Sequence, residues 1–369
     1  MSKTIYAFMN AYTQGKSGGD IAFIEIFKRI KNRNLFVITS YLGKKLCIDS
    51  KLKANFILTT KERKFKNIFA IYIQRVLKAL FLRIKICSRD ILYATSDALP
   101  DTFPIFILKL RNKRVKWVQK IFHLIPAERS ISHYSQAISL FLIKRFADLI
   151  IVDNNLLKEE LERNGFQKNK LFINHLGVDL HFLSKIKPAK EKYDAVFMAR
   201  LHPSKGIFDL VEIWEKVVTK LPHAKLAVIG KGDESTLIKL KKKVRLAKLQ
   251  NNIVLLGYLE DKKAFSIIKS GRLFIFPSQE EGFGLVLAEA LACGIPVIAY
   301  DLPIYRDIFV KLITVVPRFN IALFADKANK ILEAEKEKVA INDSGNIFGK
   351  ELSWNACVKR ESLFLNKII

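Results

Sequence analysis

The sequence predicts an α/β protein built from two doubly wound parallel-sheet domains. Three observations predict it. Short runs that are apolar throughout alternate with helix-length amphipathic segments. That alternation occurs once in each half of the chain. The 369 residues suffice for two domains at roughly 150 residues each. Unbroken apolar runs, rather than alternating ones, fit strands covered on both faces, and strand–helix–strand repetition fits helices on both sides of a parallel sheet.

In the first half the strand-like runs are 4–9, 35–39, 56–58, 91–95, 116–121, 149–152 and 171–174. In the second half they are 195–198, 225–229, 253–256, 273–276 and 297–299. The boundary is expected at 185–192, a polar stretch with Pro188 between the two strand series. An N-terminal domain over 1–185 and a C-terminal domain over 191–350 follow, with a last helix in 351–369 packing back on the first domain. Open parallel sheets bind ligands outside the carboxyl ends of their strands. Two such domains facing each other make a cleft the expected site.

Composition narrows the class. Half of the residues are hydrophobic and 27% are charged, which fits a large buried core and not a disordered chain. Lys and Arg number 63 against 35 Asp and Glu, a formal net charge of +28. Such a field favours anionic partners: nucleic acid, acidic lipid headgroups or a phosphorylated substrate. Cys47, Cys87, Cys293 and Cys357 are far apart, with no C-x-x-C pair, and read as reduced thiols. The first ten residues hold too short an apolar run for a secretory signal. No stretch reaches the ~18 uninterrupted apolar residues of a membrane span. A cytoplasmic protein is expected.

The segment richest in chemistry runs from Pro277 through Glu280-Glu281-Gly282-Phe283-Gly284-Leu285-Val286 to Glu289 and Cys293-Gly294. A strand, a loop with two glycines, a helix and a second strand are expected. Gly294 and Pro296 suit the helix end. Gly282 and Gly284 allow close approach of backbone to a ligand, and the free amides at the helix start make an anion site. Glu281 and Glu289 are about 12 Å apart if helical throughout, at ~1.5 Å per residue. That spacing suits two ends of an extended ligand and is too wide for one metal ion. At Glu281 the residues alone leave two readings open, ligand contact or an acid answering the helix dipole. Glu289 stands between Ala288 and Ala290 in an otherwise apolar helix, and acids are rarely buried unless paired.

Two glutamates with seven residues between them, inside Glu281–Ala299, resemble the signature of the retaining glycosyltransferases of family 4, which have the GT-B architecture of two Rossmann-like domains. Met198–Gly206 resembles that family's G-R-L-x-x-x-K-G segment, and Leu226–Gly232 its glycine-ended strand. Asn174–Asp179 resembles its N-G-V-D stretch with Asn-Gly altered to His175-Leu176, Thr13–Asp20 its first glycine loop, and Ser353-Trp354 the opening of its last helix.

The resemblance implies roles. Arg200 and Lys205, which alone read as surface cations, match the pair that grips the donor diphosphate. Glu281 matches the acid on the donor sugar's hydroxyls, and Glu289 the acid on the ribose. Phe283, Gly284, Leu285 and Val286 match backbone that meets sugar and diphosphate. Gly18 and Gly19 match a loop over the phosphates. His123, at the end of a first-domain strand, matches a histidine beside the sugar; a lone histidine there is more often structural. The implied activity is metal-independent, retaining transfer of a hexose from a UDP- or GDP-sugar to a hydroxyl. The acceptor would be a lipid-linked or cell-surface glycan at the cytoplasmic membrane face. No cofactor is expected, and no D-x-D occurs to hold a metal.

Segment 61–85 holds eight Lys and Arg against Glu62. As a helix it would gather Phe65, Ile68, Phe69, Tyr72, Ile73, Val76 and Leu80 on one face. Core packing of that face and contact of the basic residues with an anionic membrane surface are both expected. Two other classes compete. A non-catalytic polyanion or nucleic-acid binder explains the charge but not the spaced glutamates, and no nucleic-acid motif is present. An α-glucan synthase, phosphorylase or epimerase would keep the fold and change the reaction.

Overall fold

The computed structural model describes residues 4–11, 17–31, 33–61, 68–82, 84–125, 130–309, 311–334 and 351–368. The chain forms two units, one comprising Met1–Leu176 with Trp354–Ile369 and the other Gly177–Ser353. In the first unit β1 (Thr4–Met9), α1 (Gly18–Phe27), β2 (Asn34–Thr39), α2 (Tyr41–Asp49) and β3 (Asn55–Leu58) build one half of a sheet. The other half follows α3 (Ile68–Leu80) as β4 (Ile91–Ala94), α4 (Leu99–Arg111), β5 (Lys116–Ile121), α5 (Ser130–Phe146), β6 (Leu149–Val152), α6 (Asn155–Arg163) and β7 (Leu171–Ile173). The strand order is β3-β2-β1-β4-β5-β6-β7, parallel throughout.

The second unit runs α7 (Leu180–Ser184), β8 (Tyr193–Met198), α8 (Ile207–Lys220), β9 (Leu226–Ile229), α9 (Glu234–Leu246) and β10 (Ile253–Gly257). It continues with α10 (Asp261–Ser270), β11 (Gly271–Phe276), α11 (Leu285–Ala292), β12 (Val297–Tyr300), α12 (Pro303–Ile308), β13 (Thr314–Val316) and α13 (Ile321–Glu333). Its parallel order is β10-β9-β8-β11-β12-β13. Both sheets therefore have their first strand in the middle and reverse winding beside it. The reversal falls between β1 and β4 in one unit and between β8 and β11 in the other, where such sheets take ligands.

Every apolar run read from the sequence is a strand, because β1, β4, β6, β9 and β12 are buried along all or nearly all of their length. The short edge strand β13 carries no such signal, being three residues long and only partly buried. The chain passes to the second unit after Leu176 and not at 185–192. Leu183 and Ile186 are buried, Lys269 Nζ donates to the carbonyls of both, and Ser266 accepts from and donates to 187–189, so that stretch is fastened to α10.

The last helix, α14 (Trp354–Lys367), belongs to the first unit. Its Glu361 is fully buried and accepts hydrogen bonds from Tyr93 Oη (2.6 Å), Asn174 Nδ2 (2.6 Å) and Lys120 Nζ (3.1 Å). A buried carboxylate is tolerable only when paired and hydrogen-bonded in this way. No described helix is long and apolar enough to cross a membrane.

Candidate functional site

In the second unit, close backbone contacts draw the ends of β8, β9 and β11 together. Gly206, in the left-handed region at φ +67°, starts α8 directly against Pro277; a Cβ there would lie 1.8 Å from the Pro277 carbonyl oxygen. Only glycine meets both demands. Gly230 and Gly232 likewise leave no room between the turn after β9 and the 199–201 backbone, which pairs with it through Leu201 and Gly232. The Ser204 carbonyl accepts from the Gln279 amide at 2.9 Å.

This packing sets Lys205 beside Glu281. Lys205 Nζ lies 2.6 Å from Glu281 Oε1 and 3.0 Å from the Glu280 carbonyl oxygen. The buried Ser278 hydroxyl donates to the same Glu281 oxygen at 2.9 Å. Glu281 is thus held by a cation and a hydroxyl, with the start of α11 four residues on. Gly284 caps α11 at φ +87°, and the Leu285 and Val286 amides have no acceptor among the described residues. Orphan amides and the helix dipole attract anions. Phe283 is buried edge-on against Phe309, so only its backbone is offered.

Arg200 is exposed just past β8. Glu289 lies one turn inside α11; burial, with help from Asp261, pushes its pKa up to about 8. The buried Tyr305 hydroxyl has no hydrogen-bond partner among the described residues, and burial together with the Glu281 charge raises its pKa well above the usual phenol. Its ring packs against the place where a Gly284 Cβ would stand. Ser278 and Tyr305 are site residues that sequence reasoning missed; neither has a motif of its own. Among the described residues no three His, Cys, Asp or Glu side chains gather so as to hold a metal ion.

In the first unit the expected residues follow β1 and β5. Gly18 and Gly19 form the first turn of α1 rather than a loop, capped by Ser17 and Asp20; 12–16 lie outside the described residues. Gly19 abuts Phe122, where a Cβ would lie 2.9 Å from the ring, and exposed His123 follows. The loop carrying His123 is held by buried Gln136 of α5. Its amide nitrogen donates to the His123 carbonyl (2.9 Å) and to Asp97, and its oxygen accepts from the Ile125 amide (2.7 Å). Burial raises the Asp97 pKa, while the Gln136 bond and the nearby His123 oppose the rise.

Segment 61–85 departs from expectation. Arg75 is fully buried and donates to the Asn10 carbonyl, so it is no part of a basic outer face. Tyr72, whose hydroxyl donates to the Ala11 carbonyl at 2.7 Å, turns inward with Val76, Ala79 and Leu80. Ile73, placed with them from the sequence, points outward. The buried arginine rotates the helix relative to the face that apolar periodicity selects. Glu62, Arg63, Lys64, Phe65, Lys66 and Arg83 lie outside the described residues.

Residues 181–346 match the family model of glycosyl transferases group 1. The chain is 40% identical over 111 residues to the poly(glycerol-phosphate) alpha-glucosyltransferase of Bacillus subtilis (strain 168), covering 30% of this chain but only 16% of that protein. It is 27% identical over 283 residues to the capsular polysaccharide biosynthesis glycosyltransferase CapM of Staphylococcus aureus, covering 72% of each. The fold is the GT-B fold. The structure of Anabaena Alr3699/HepE in complex with UDP and glucose superposes with a TM-score of 0.79 at 16% identity, covering 99% of this chain and all of that one.

Proposed function

We propose that the protein is a retaining glycosyltransferase of family 4. It would move a hexose from a UDP- or GDP-sugar to a hydroxyl of a lipid-linked or cell-surface glycan at the cytoplasmic membrane face. The observation that carries this reading is the Lys205–Glu281 pair beside the open amides of Leu285 and Val286. A nucleotide sugar presents a diphosphate next to sugar hydroxyls, and this site presents cations and amides next to a carboxylate.

In this reading Arg200, Lys205 and the α11 amides stabilise the charge that grows on the departing diphosphate. Glu281 accepts hydroxyls of the transferred sugar, and Glu289 those of the ribose. Gly18 and Gly19 of the first unit close over the phosphates, and His123 stands beside the transferred sugar. In this reading no side chain acts as a nucleophile: the acceptor attacks from the face the diphosphate leaves and its proton passes to the diphosphate. These side chains and amides supply the charge compensation, and no metal or cofactor is assigned. The relatives named above, one acting on poly(glycerol-phosphate) and one in capsular polysaccharide synthesis, support a polymeric acceptor.

The experiment is product analysis after incubation with α-configured UDP- and GDP-sugars and simple hydroxyl acceptors. An α-linked product is expected. A β-linked product would overturn retention, and free sugar 1-phosphate formed from inorganic phosphate would indicate a phosphorylase.

A further inference from the structure

The loop between β11 and α11 is fastened twice at Gln279. Its amide donates to the Ser204 carbonyl at 2.9 Å, and its side-chain nitrogen donates to Asp209 Oδ2 at 3.2 Å. Asp209 stands in the first turn of α8, three residues beyond Gly206. An acid at that position ordinarily answers the helix dipole from solvent. This one is half-buried, and the oxygen that meets Gln279 also accepts from the Tyr300 hydroxyl at 2.9 Å.

Tyr300 makes the arrangement stiff. It ends β12, is fully buried, and packs edge-on to Phe324 (centroids 5.3 Å apart, planes at 89°) and against Phe319. Burial and the bond to Asp209 raise its pKa above the usual phenol, so the hydroxyl keeps its proton and donates. A tyrosine held in a packed core aims that bond from a fixed point. Tyr300, Asp209 and Gln279 thus form a chain of hydrogen bonds in series. It runs from the end of β12 to the loop, and Glu281 follows Gln279 by two residues.

We propose that Asp209 is a positioning residue: anchored by Tyr300, it holds Gln279 and thereby sets the direction of the Glu281 carboxylate. The inference rests on the transferase reading, in which Glu281 meets the donor sugar, and adds to it the group that fixes how. Displacing a substrate-positioning group by about 1 Å can cost a reaction about a hundredfold. Lys205 joins α8 directly through Gly206, so the cation on the diphosphate does not depend on the same chain of bonds. The effect of Asp209 therefore falls on the sugar and not on the diphosphate. An acid that served the dipole alone would need neither the tyrosine nor the glutamine.

The test compares the full chain with Q279A, Y300F, the double variant Q279A/Y300F, and D209N. Turnover is read with the UDP- or GDP-sugar that wild type uses, and affinity for the matching nucleoside diphosphate by calorimetry. Q279A and Y300F cut the two bonds one at a time and leave the half-exposed Asp209 to water, so both variants fold. A kcat at least about tenfold lower in Q279A and about threefold lower in Y300F is expected, with no further loss in the double variant, because bonds in series are not additive. D209N should stay within about threefold of wild type, since one amide oxygen can accept both bonds. Diphosphate affinity should hold within about twofold throughout. Wild-type kcat in Q279A overturns the proposal, as do losses that multiply in the double variant or a diphosphate affinity that falls with kcat. A loss in D209N as large as in Q279A also overturns it and returns Asp209 to the helix dipole. Wild type that binds no nucleotide sugar would overturn the transferase reading itself, and the proposal with it.

Discussion

Lys205 Nζ and Glu281 Oε1, 76 positions apart in sequence, lie 2.6 Å apart at the carboxyl ends of β8 and β11. The pair is only partly buried, so its worth to stability is modest, on the order of 1 kcal/mol or less. Its consequence is local: it points a carboxylate and an ammonium at the same space. Lys205→Ala and Glu281→Ala should each lower turnover at least about tenfold while the fold survives. Steady-state transfer rates with circular dichroism check this, and wild-type turnover in either variant removes that residue from the site.

Gly206 carries the backbone approach behind that pair. Gly206→Ala forces a side chain into a left-handed conformation and against the Pro277 carbonyl. A loss of about 2 kcal/mol or more is expected from strain and clash together. Denaturant unfolding should show a lower midpoint, and donor affinity should fall because Lys205 moves.

Glu289 gives a pH signature. Its folded pKa of about 8 exceeds the ordinary carboxyl value, so the folded protein holds a proton that the unfolded chain has released. Glu289 therefore costs stability as pH rises from about 4.5 to about 8, and costs nothing below that window. Glu289→Gln should stabilise the protein at pH 7 relative to pH 4. If the ionised carboxylate takes the ribose hydroxyls, donor binding at pH 7 releases a proton. Calorimetry in buffers of different ionisation enthalpy reads this directly; buffer-independent heats would remove the proposed ribose contact.

Tyr305 and Gln136 test the second and the first unit separately. Tyr305→Phe deletes a buried hydroxyl that has no partner among the described residues, so stability should hold or rise. A weakened donor affinity would show that the hydroxyl meets the bound nucleotide sugar. Gln136→Leu breaks three hydrogen bonds around the His123 loop. It should reduce turnover with little change in donor affinity, and equal loss of both would place Gln136 in general folding instead.

Glu361→Ala leaves Lys120 buried without its carboxylate. Breaking a buried pair from one side costs about 3–5 kcal/mol. The variant should unfold at markedly lower denaturant, and Glu361→Gln should recover part of the loss through the Tyr93 and Asn174 contacts.

Much of this was legible in the sequence. Buried parallel strands write themselves as apolar runs, so twelve of the strands could be placed, and Gly294 marked the left-handed position at the end of α11. β13 was not legible, because a three-residue edge strand has no periodicity. Ser278 and Gln136 were not legible, because the role of a buried polar side chain shows only once the fold has brought its hydrogen-bond partners to it. The face of α3 was misread, since a buried Arg75 paired to a carbonyl looks like a surface cation until its partner is seen. The transition at 185–192 looked like a linker because its anchors are backbone carbonyls, which sequence does not distinguish.

The most direct measurement is the melting temperature of wild type and Lys205→Ala with increasing UDP-, GDP- and ADP-sugars. A ligand that binds the native state raises the midpoint by mass action, about 2.7 kcal/mol at a hundredfold excess over Kd. A saturable rise with a UDP- or GDP-sugar, much reduced in Lys205→Ala, is expected. No rise with any nucleotide sugar, or an equal rise in the variant, would mean that the β8–β11 strand ends are not the donor site.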